Sequence, residues 1–239
     1  MNLNGKIAPF SDLSSAGVEL AAKLSGAGIK HDVVVLAIVS AGVPVAVEVA
    51  KLLEASSFDL IVIRRLLAPQ GPGSQAVAVN AAGTLVVDDE IGPRPAKPET
   101  PFDYFLEDAL NGLARRSHIC RGERPPTDLA GKSVLLVDCG IRTGLTMQAA
   151  ITAVRTLNPA RITAAVPVTS HDGRRIIEAL ADELIYLAAP DPFGNAGVWY
   201  RDFRRLADDC ISQVLRPSPT VPVRQGYQGS DQTDKTYQA

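Results

Sequence analysis

The sequence predicts an α/β fold in which a central parallel sheet is flanked by helices and interrupted by one inserted segment. Three observations carry this prediction. Short β-branched runs are each followed by a turn and then by a longer stretch with apolar residues at helical spacing, the signature of βα units. Several of these runs are apolar at successive positions instead of alternating, as expected of a parallel sheet covered on both faces. The alternation breaks between Asp88 and Asp128, where Pro93, Pro95, Pro98 and Pro101 precede a helical stretch and the polar run RGERPPTD.

Taken in order, helical spacing fills 11–27, followed by the strand DVVVLAI at 32–38 and a second helix over 43–55. FDLIVIR at 58–64 is the next strand. QAVAVN and TLVVDD read as two short strands joined at Ala82-Gly83, an antiparallel hairpin at a sheet edge. The inserted segment spans 89–130, with a helix over 103–117. SVLLVD at 133–138, a helix over 144–157, RITAAVP at 161–167, a helix over 172–181 and ELIYLA at 183–188 complete the βα series. After Leu215 the residues 216–239 lose periodicity and nearly all large aliphatic side chains, so a disordered tail is expected beyond a domain of 1–215.

Composition narrows the function classes. Apolar residues make up 46% and charged residues 21% of the 239, a balance that sustains a buried core. A formal charge of −2 supplies no overall field for nucleic acid or anionic lipid, so an anion site must be local. Cys120, Cys139 and Cys210 are three separated thiols with neither a disulfide framework nor a zinc spacing, and His31, His118 and His171 show no metal-ligand spacing either. The N-terminal residues lack the basic start and apolar core of a signal peptide, and Lys51, Arg64 and Arg65 interrupt the most apolar region. A cytoplasmic protein with no membrane or nucleic-acid partner is expected.

In open α/β sheets ligands bind beyond the carboxyl ends of strands. SVLLVD ends in Asp138 and runs into Cys139, Gly140, Ile141, Arg142, Thr143, Gly144, Leu145 and Thr146 before helical spacing begins at Met147. The two glycines let backbone amides turn inward, the threonine hydroxyls add donors, and a helix N-terminus favours an anion. Asp138 beside such a cradle can accept hydrogen bonds from sugar hydroxyls. An ordinary βα turn with a Thr cap fits the same residues.

The stretch from Val137 to Met147 resembles the phosphoribosyl pyrophosphate loop of type I phosphoribosyltransferases, where a strand ends in two acids followed by a T-G-x-T phosphate loop. LAIVSAGVPVAVEVAKLL is similar to that family's pyrophosphate-loop region and IVIRRLLAP to its next strand. The segment ARRSHICRGERPPTDLAGKSVLLVD and PDPFGNAGVWYRDF resemble segments of the small stand-alone bacterial members. The resemblance covers most of positions 30–205 and implies the type I phosphoribosyltransferase-like fold, with residues 89–130 as a hood.

For the site, the resemblance implies that Asp138 holds ribose hydroxyls and that residues 143–146 bind the 5′-phosphate. The turn Ser40, Ala41, Gly42 would lie against pyrophosphate, with Arg65 as a nearby cation. Family members use Mg²⁺ and transfer the phosphoribosyl group to a nitrogenous base with release of pyrophosphate. The implied partners are phosphoribosyl pyrophosphate and a base or nucleotide, and the family's members often self-associate as homo-oligomers. The basic cluster Arg115, Arg116, Arg121 and Arg124 would either close over pyrophosphate or form a solvated face.

Departures from the pattern leave a second reading open. Position 139 is Cys where the family has a second carboxylate, position 40 is Ser where stand-alone members carry Arg, and position 41 is Ala where they carry Gly. A neutral thiol is a poor acceptor and a lost guanidinium removes a bidentate phosphate partner, with Arg142 as a substitute cation. The alternative is a non-catalytic binding or regulatory protein that senses a phosphorylated ribose or nucleotide. Other motifs fail on spacing. Gly131-Lys132-Ser133 has Pro126 where a P-loop needs Gly, and a nucleophile elbow at Ser40 would need Gly at Ile38, with His118 or His171 as base. Reactive-thiol chemistry at Cys139 competes with a buried small side chain. Trp199 and Tyr200 are expected to pack onto the sheet edge or to touch a base.

Overall fold

In the computed structural model of the chain, residues 9–29, 32–67, 76–80, 85–87 and 101–215 are described. The elements run α1 (Leu13–Gly26), β1 (Val33–Ile38), α2 (Gly42–Leu52), β2 (Ser57–Ile61), β3 (Ile63–Leu67), β4 (Ala76–Asn80), β5 (Leu85–Val87), α3 (Pro101–Arg121), β6 (Ser133–Val137), α4 (Leu145–Arg155), β7 (Arg161–Val168), α5 (His171–Glu178), β8 (Glu183–Ala188) and α6 (Asp208–Val214). The expected tail, 216–239, and the start of the inserted segment, 89–100, lie outside the described residues.

Five strands form a parallel sheet in the order β2-β1-β6-β7-β8. The successive apolar residues behave as the pattern predicts: Val33, Val35 and Ala37 join the core on one face, and Val34, Leu36 and Ile38 join the core on the other. β6 divides likewise, with Leu135 and Val137 on the first face and Val134 and Leu136 on the second. Helices α1 and α2 cover the first face through Leu20, Leu24, Val45 and Val49, while α4 and α5 cover the second through Met147, Ile151, Val154 and Ile177. Each fully buried aliphatic side chain contributes about 1.5–3 kcal/mol relative to exposure, so two apolar faces on one sheet are the main stabilisation.

Local signals start the helices. Asp12 caps α1 by accepting from the Ser15 N–H at 2.7 Å, and Ser15 Oγ accepts from the Asp12 N–H, a reciprocal capping box. Ser170 caps α5 by accepting from the Gly173 N–H at 2.9 Å.

Two expectations change. The run 58–64 does not form one strand: it divides at Val62 into β2, an edge of the parallel sheet, and β3, which pairs with β4. The hairpin of β4 and β5 therefore belongs to a separate three-stranded antiparallel sheet, not to the edge of the main sheet. The apolar pattern of 58–64 is continuous across this division and carries no mark of it. The helix of the inserted segment is longer than its predicted 103–117 and ends at Arg121. Arg116 pairs with Asp208 on α6 at 2.9 Å, and Arg121 pairs with the buried Asp59 of β2 at 2.5 Å. Arg124 donates to the carbonyls of Leu215 and Phe58 at 2.8 and 3.2 Å. These three basic residues tie α3 and the chain after it to the edge strand and to α6.

Candidate active site

The strand order places a switch point between β1 and β6, since the chain leaves β1 toward β2 on one side and β6 toward β7 on the other. Helices α2 and α4, which follow these two strands, cover opposite faces, and the crevice beyond the strand ends is the expected ligand position. A cavity of about 230 Å³ occupies this position. Its wall includes Arg65 and every residue from Asp138 to Met147, together with Asn195, Ala196, Gly197, Phe203 and Arg205.

Asp138 is half-buried directly after β6 and its Oδ1 accepts the Cys139 N–H at 2.7 Å. Burial pushes its carboxyl up to about 6, against the opposing pull of the Cys139 N–H and thiol and of the Arg205 and Arg65 charges. Cys139 is buried, and burial together with the adjoining carboxylate holds its thiol well above its ordinary range. The thiol is therefore neutral, and the structure supports a buried small side chain at this position over reactive-thiol chemistry.

The loop after Asp138 is fixed to its neighbour. Ile141 bridges Thr169, its N–H donates to the Val168 carbonyl at 2.9 Å, and its carbonyl accepts from the Ser170 N–H at 2.8 Å. Ser170 Oγ also donates to the Arg142 carbonyl. Two glycines are required here. A Cβ at position 140 would lie 2.9 Å from both Val168 and Ala196, and Gly144, which precedes α4, has φ 83°, a left-handed conformation that disfavours other residues. The first helical bond of α4 runs from the Gln148 N–H to the Gly144 carbonyl at 2.8 Å, so the amides from 145 to 147 have no acceptor within the helix, and all three residues line the cavity. Thr143 and Thr146 are half-buried beside them, and Arg142 is exposed at the rim.

Arg65 lies on β3. Its neighbour Arg64 faces α3, since a Cβ on Gly112 would meet Arg64 Nη1 at 2.9 Å, and the strand's alternation turns Arg65 to the cavity. Ser40 and Ala41 lie in the turn between β1 and α2 and Gly42 is the first residue of α2, with a cis peptide between Val39 and Ser40. They do not line the cavity. Ala41 and Gly42 are buried, Ser40 is half-buried, and Gly42 packs behind Asp138. The structure thus brings the 138–146 loop and Arg65 into one cavity wall, with Gly42 against Asp138.

The wall formed by Asn195, Ala196, Gly197, Phe203 and Arg205 was not among the predicted site residues. These positions follow β8, far in sequence from the loop. The available signal was the family-like segment 190–203, which ends two residues before Arg205. Arg205 lies over the Phe203 ring at 5.6 Å from its centroid. Trp199 and Tyr200 pack instead of lining the cavity. Trp199 Nε1 donates to the Phe193 carbonyl at 3.0 Å, and the Tyr200 ring packs at a tilt against Phe10 and Phe203, with centroids 5.4 and 5.3 Å away. Of the basic cluster, Arg116, Arg121 and Arg124 make the contacts described above and are absent from the cavity wall.

Among the described residues no helix is long and apolar enough to cross a membrane, and no three His, Cys, Asp or Glu side chains cluster as a metal site. The phosphoribosyl transferase domain family matches residues 12–198 of the chain. Two curated Mycobacterium tuberculosis proteins, from strains CDC 1551 / Oshkosh and ATCC 25618 / H37Rv, are provisionally named phosphoribosyl transferases. Each is 34% identical over 206 residues, which is 86% of this chain and 46% of the relative, so the chain spans about half the length of the curated relatives it matches. A solved structure from Thermus thermophilus superposes with a TM-score of 0.70 at 31% identity, over 86% of this chain and 97% of that one. With the five-stranded parallel sheet and the loop at its switch point, these matches establish that the chain belongs to the phosphoribosyl transferase family.

Proposed function

We propose that the chain binds phosphoribosyl pyrophosphate together with Mg²⁺ and transfers the phosphoribosyl group to a nitrogenous base, releasing pyrophosphate. The observation that carries this reading is the convergence of one carboxylate, Asp138, with the amides of the 140–146 loop and the cations Arg65 and Arg205 in a single cavity at the switch point.

In this reading the amides at the start of α4 and the hydroxyls of Thr143 and Thr146 hold the 5′-phosphate, where backbone donors and the helix dipole favour an anion. Asp138, when ionised, accepts from ribose hydroxyls, and its elevated pKa reflects a carboxylate left under-solvated for a ligand to satisfy. The bond to pyrophosphate breaks through an oxocarbenium-like state. Arg65 and Arg205 stabilise the charge that accumulates on the departing oxygens, and the 40–42 turn holds Asp138 from behind. The 101–130 part of the inserted segment is tied to β2 and α6 through Arg116, Arg121 and Arg124, and none of its described residues lines the cavity.

The donor set fits a metal that arrives on the ligand. Mg²⁺ prefers oxygen ligands, keeps several waters, and is commonly held by one or two carboxylates plus substrate phosphates. Asp138 supplies one carboxylate, and Cys139 supplies none. When bound, the metal would neutralise pyrophosphate charge beside the two arginines.

Incubation with phosphoribosyl pyrophosphate, Mg²⁺ and a panel of bases tests the proposal. Pyrophosphate release above an Asp138→Asn control is expected with at least one base, and no release with any base would remove the enzymatic reading. Cys139 favours one alternative, a non-catalytic sensor of phosphoribosyl pyrophosphate or a nucleotide, because its buried neutral thiol replaces the acceptor that the family places there. Tight calorimetric binding without turnover would support the sensor.

A further inference from the structure

We propose that Tyr200 is a positioning residue for the anion-binding loop: by fixing the Cys139 carbonyl, its hydroxyl turns the Gly140 N–H toward the cavity. The inference rests on the reading of the 138–146 loop as an anion site.

Tyr200 is buried, and its O–H donates to the Cys139 carbonyl at 2.5 Å across 61 positions of sequence. The peptide between Cys139 and Gly140 is not one of the cis bonds, so its C=O and N–H lie in one plane and point in opposite directions. Tyr200 takes the carbonyl on the core side and is absent from the cavity wall, whereas Gly140 lines the cavity. The Gly140 N–H therefore faces away from Tyr200. Among the described residues it has no hydrogen-bond acceptor in the protein. An under-satisfied amide on a cavity wall is a donor held for a ligand. Burial raises the Tyr200 hydroxyl above its ordinary range, so it remains a donor at neutral pH.

The tyrosine is itself firmly placed. Its ring sits 5.4 Å from Phe10 and 5.3 Å from Phe203. The backbone beside it pairs with the N-terminal segment, with Arg201 N–H donating to the Phe10 carbonyl and Asp202 N–H to the Ser11 carbonyl, both at 2.9 Å. This pairing gives residues 10–11 and 200–202 a part in the site even though none of them lines it. It also explains a tyrosine at 200, since phenylalanine would keep the ring contacts and lose the fixed carbonyl.

The test uses the isotope-labelled full chain, titrated with inorganic phosphate and with phosphoribosyl pyrophosphate plus Mg²⁺ while the Gly140 amide resonance is followed. In the wild type that resonance is expected to shift on titration. Tyr200→Phe should lose the shift and weaken binding about tenfold, the scale of one hydrogen bond to a charged group. Trp199→Phe, which removes the neighbouring Trp199 to Phe193 bond, should leave both unchanged and so controls for loosening of the segment. Equal binding and an equal Gly140 shift in Tyr200→Phe would overturn the inference. So would a wild type that binds phosphoribosyl pyrophosphate with no response at Gly140, which leaves the proposed function intact and decides the matter even if Tyr200→Phe fails to fold. A wild type that binds neither probe would overturn the proposed function and this inference together.

Discussion

Gly42 packs directly against the back of Asp138. A Cβ at position 42 would lie 2.8 Å from the Val137 carbonyl oxygen, 3.0 Å from Asp138 Cα and 3.1 Å from Asp138 Oδ1. Two of these neighbours are backbone atoms of a central strand and its end, which cannot yield as a flexible side chain does. Gly42→Ala is expected to destabilise the protein by about 1–3 kcal/mol, the range of core overpacking, and to weaken phosphoribosyl pyrophosphate binding by displacing the carboxylate. Urea unfolding and calorimetry measure the two effects. Gly26→Ala is the control, because a Cβ there meets nothing within 4 Å at the end of α1. It should leave stability unchanged or raise it by a few tenths of a kcal/mol.

Asp138 should make stability and binding respond to pH in opposite directions. Its folded-state pKa of about 6 lies above the ordinary carboxylate value of 3.8, so the native state holds this proton more tightly than the unfolded chain does. Stability from this group is therefore fully present at low pH and is lost as pH rises through about 6. Asp138→Asn removes the penalty and should stabilise the ligand-free protein at pH 8 by on the order of 1–3 kcal/mol, with the difference vanishing toward pH 4. Binding runs the other way, since only the ionised carboxylate accepts from two hydroxyls. The ratio of wild-type to Asp138→Asn affinity for phosphoribosyl pyrophosphate should rise through about pH 6 and level off above it, a ratio that cancels titration of the ligand's own phosphates. A ratio independent of pH would separate Asp138 from ligand binding.

The pair of Asp59 and Arg121 should be a principal electrostatic anchor of the inserted helix. Asp59 has only 2% of its surface exposed and accepts from Arg121, from the Leu60 N–H at 2.7 Å and from the Thr127 N–H at 2.8 Å. Burial alone would raise its pKa, but these donors and the Arg121 charge outweigh it and leave the carboxyl lowered. The stabilisation is present above the ordinary carboxylate pKa and is lost as pH falls through the lower folded value. Arg121→Met strands a buried carboxylate and is expected to cost about 3–5 kcal/mol at pH 7, whereas Arg121→Met with Asp59→Leu should recover much of that loss. Denaturant unfolding of the single and double variants checks this. A single variant within about 0.5 kcal/mol of wild type would show the pair to be dispensable.

The parts of the fold that were legible in sequence are those written in local chemistry. Val33 to Ile38 alternate between two cores and so appear as an unbroken apolar run, and Gly140 and Gly144 mark a loop whose backbone must approach other atoms or turn left-handed. The division at Val62 was not legible, because each half of 58–64 buries apolar side chains and only the tertiary pairing of β3 with β4 separates them. Arg205 was not legible for a related reason. Its place in the same cavity wall as Asp138 depends on the return of the chain after β8, fixed by Tyr200 and Phe10, and nothing in the run from Arg201 to Arg205 distinguishes a cavity-facing guanidinium from solvated ones.

Cys139→Asp distinguishes a site that lacks an acceptor from one altered throughout. The substitution places a second carboxylate beside Asp138 in a position 8% exposed, so like-charge repulsion and burial should raise the apparent pKa values of the pair and lower the thermal midpoint of the ligand-free protein. Mg²⁺, when bound, would be held by both acids and would relieve that repulsion. Affinity for phosphoribosyl pyrophosphate should consequently become more strongly Mg²⁺-dependent and rise about tenfold at saturating metal, equivalent to ~1.4 kcal/mol. Cys139→Asn, a polar residue of nearly the same size with no charge, should not reproduce the change. If pyrophosphate release appears or increases in Cys139→Asp and stays flat in Cys139→Asn, the thiol is what limits the chemistry. If both remain at the wild-type level, the thiol does not limit the chemistry, and Ser40→Arg tests whether the guanidinium absent from the 40–42 turn does.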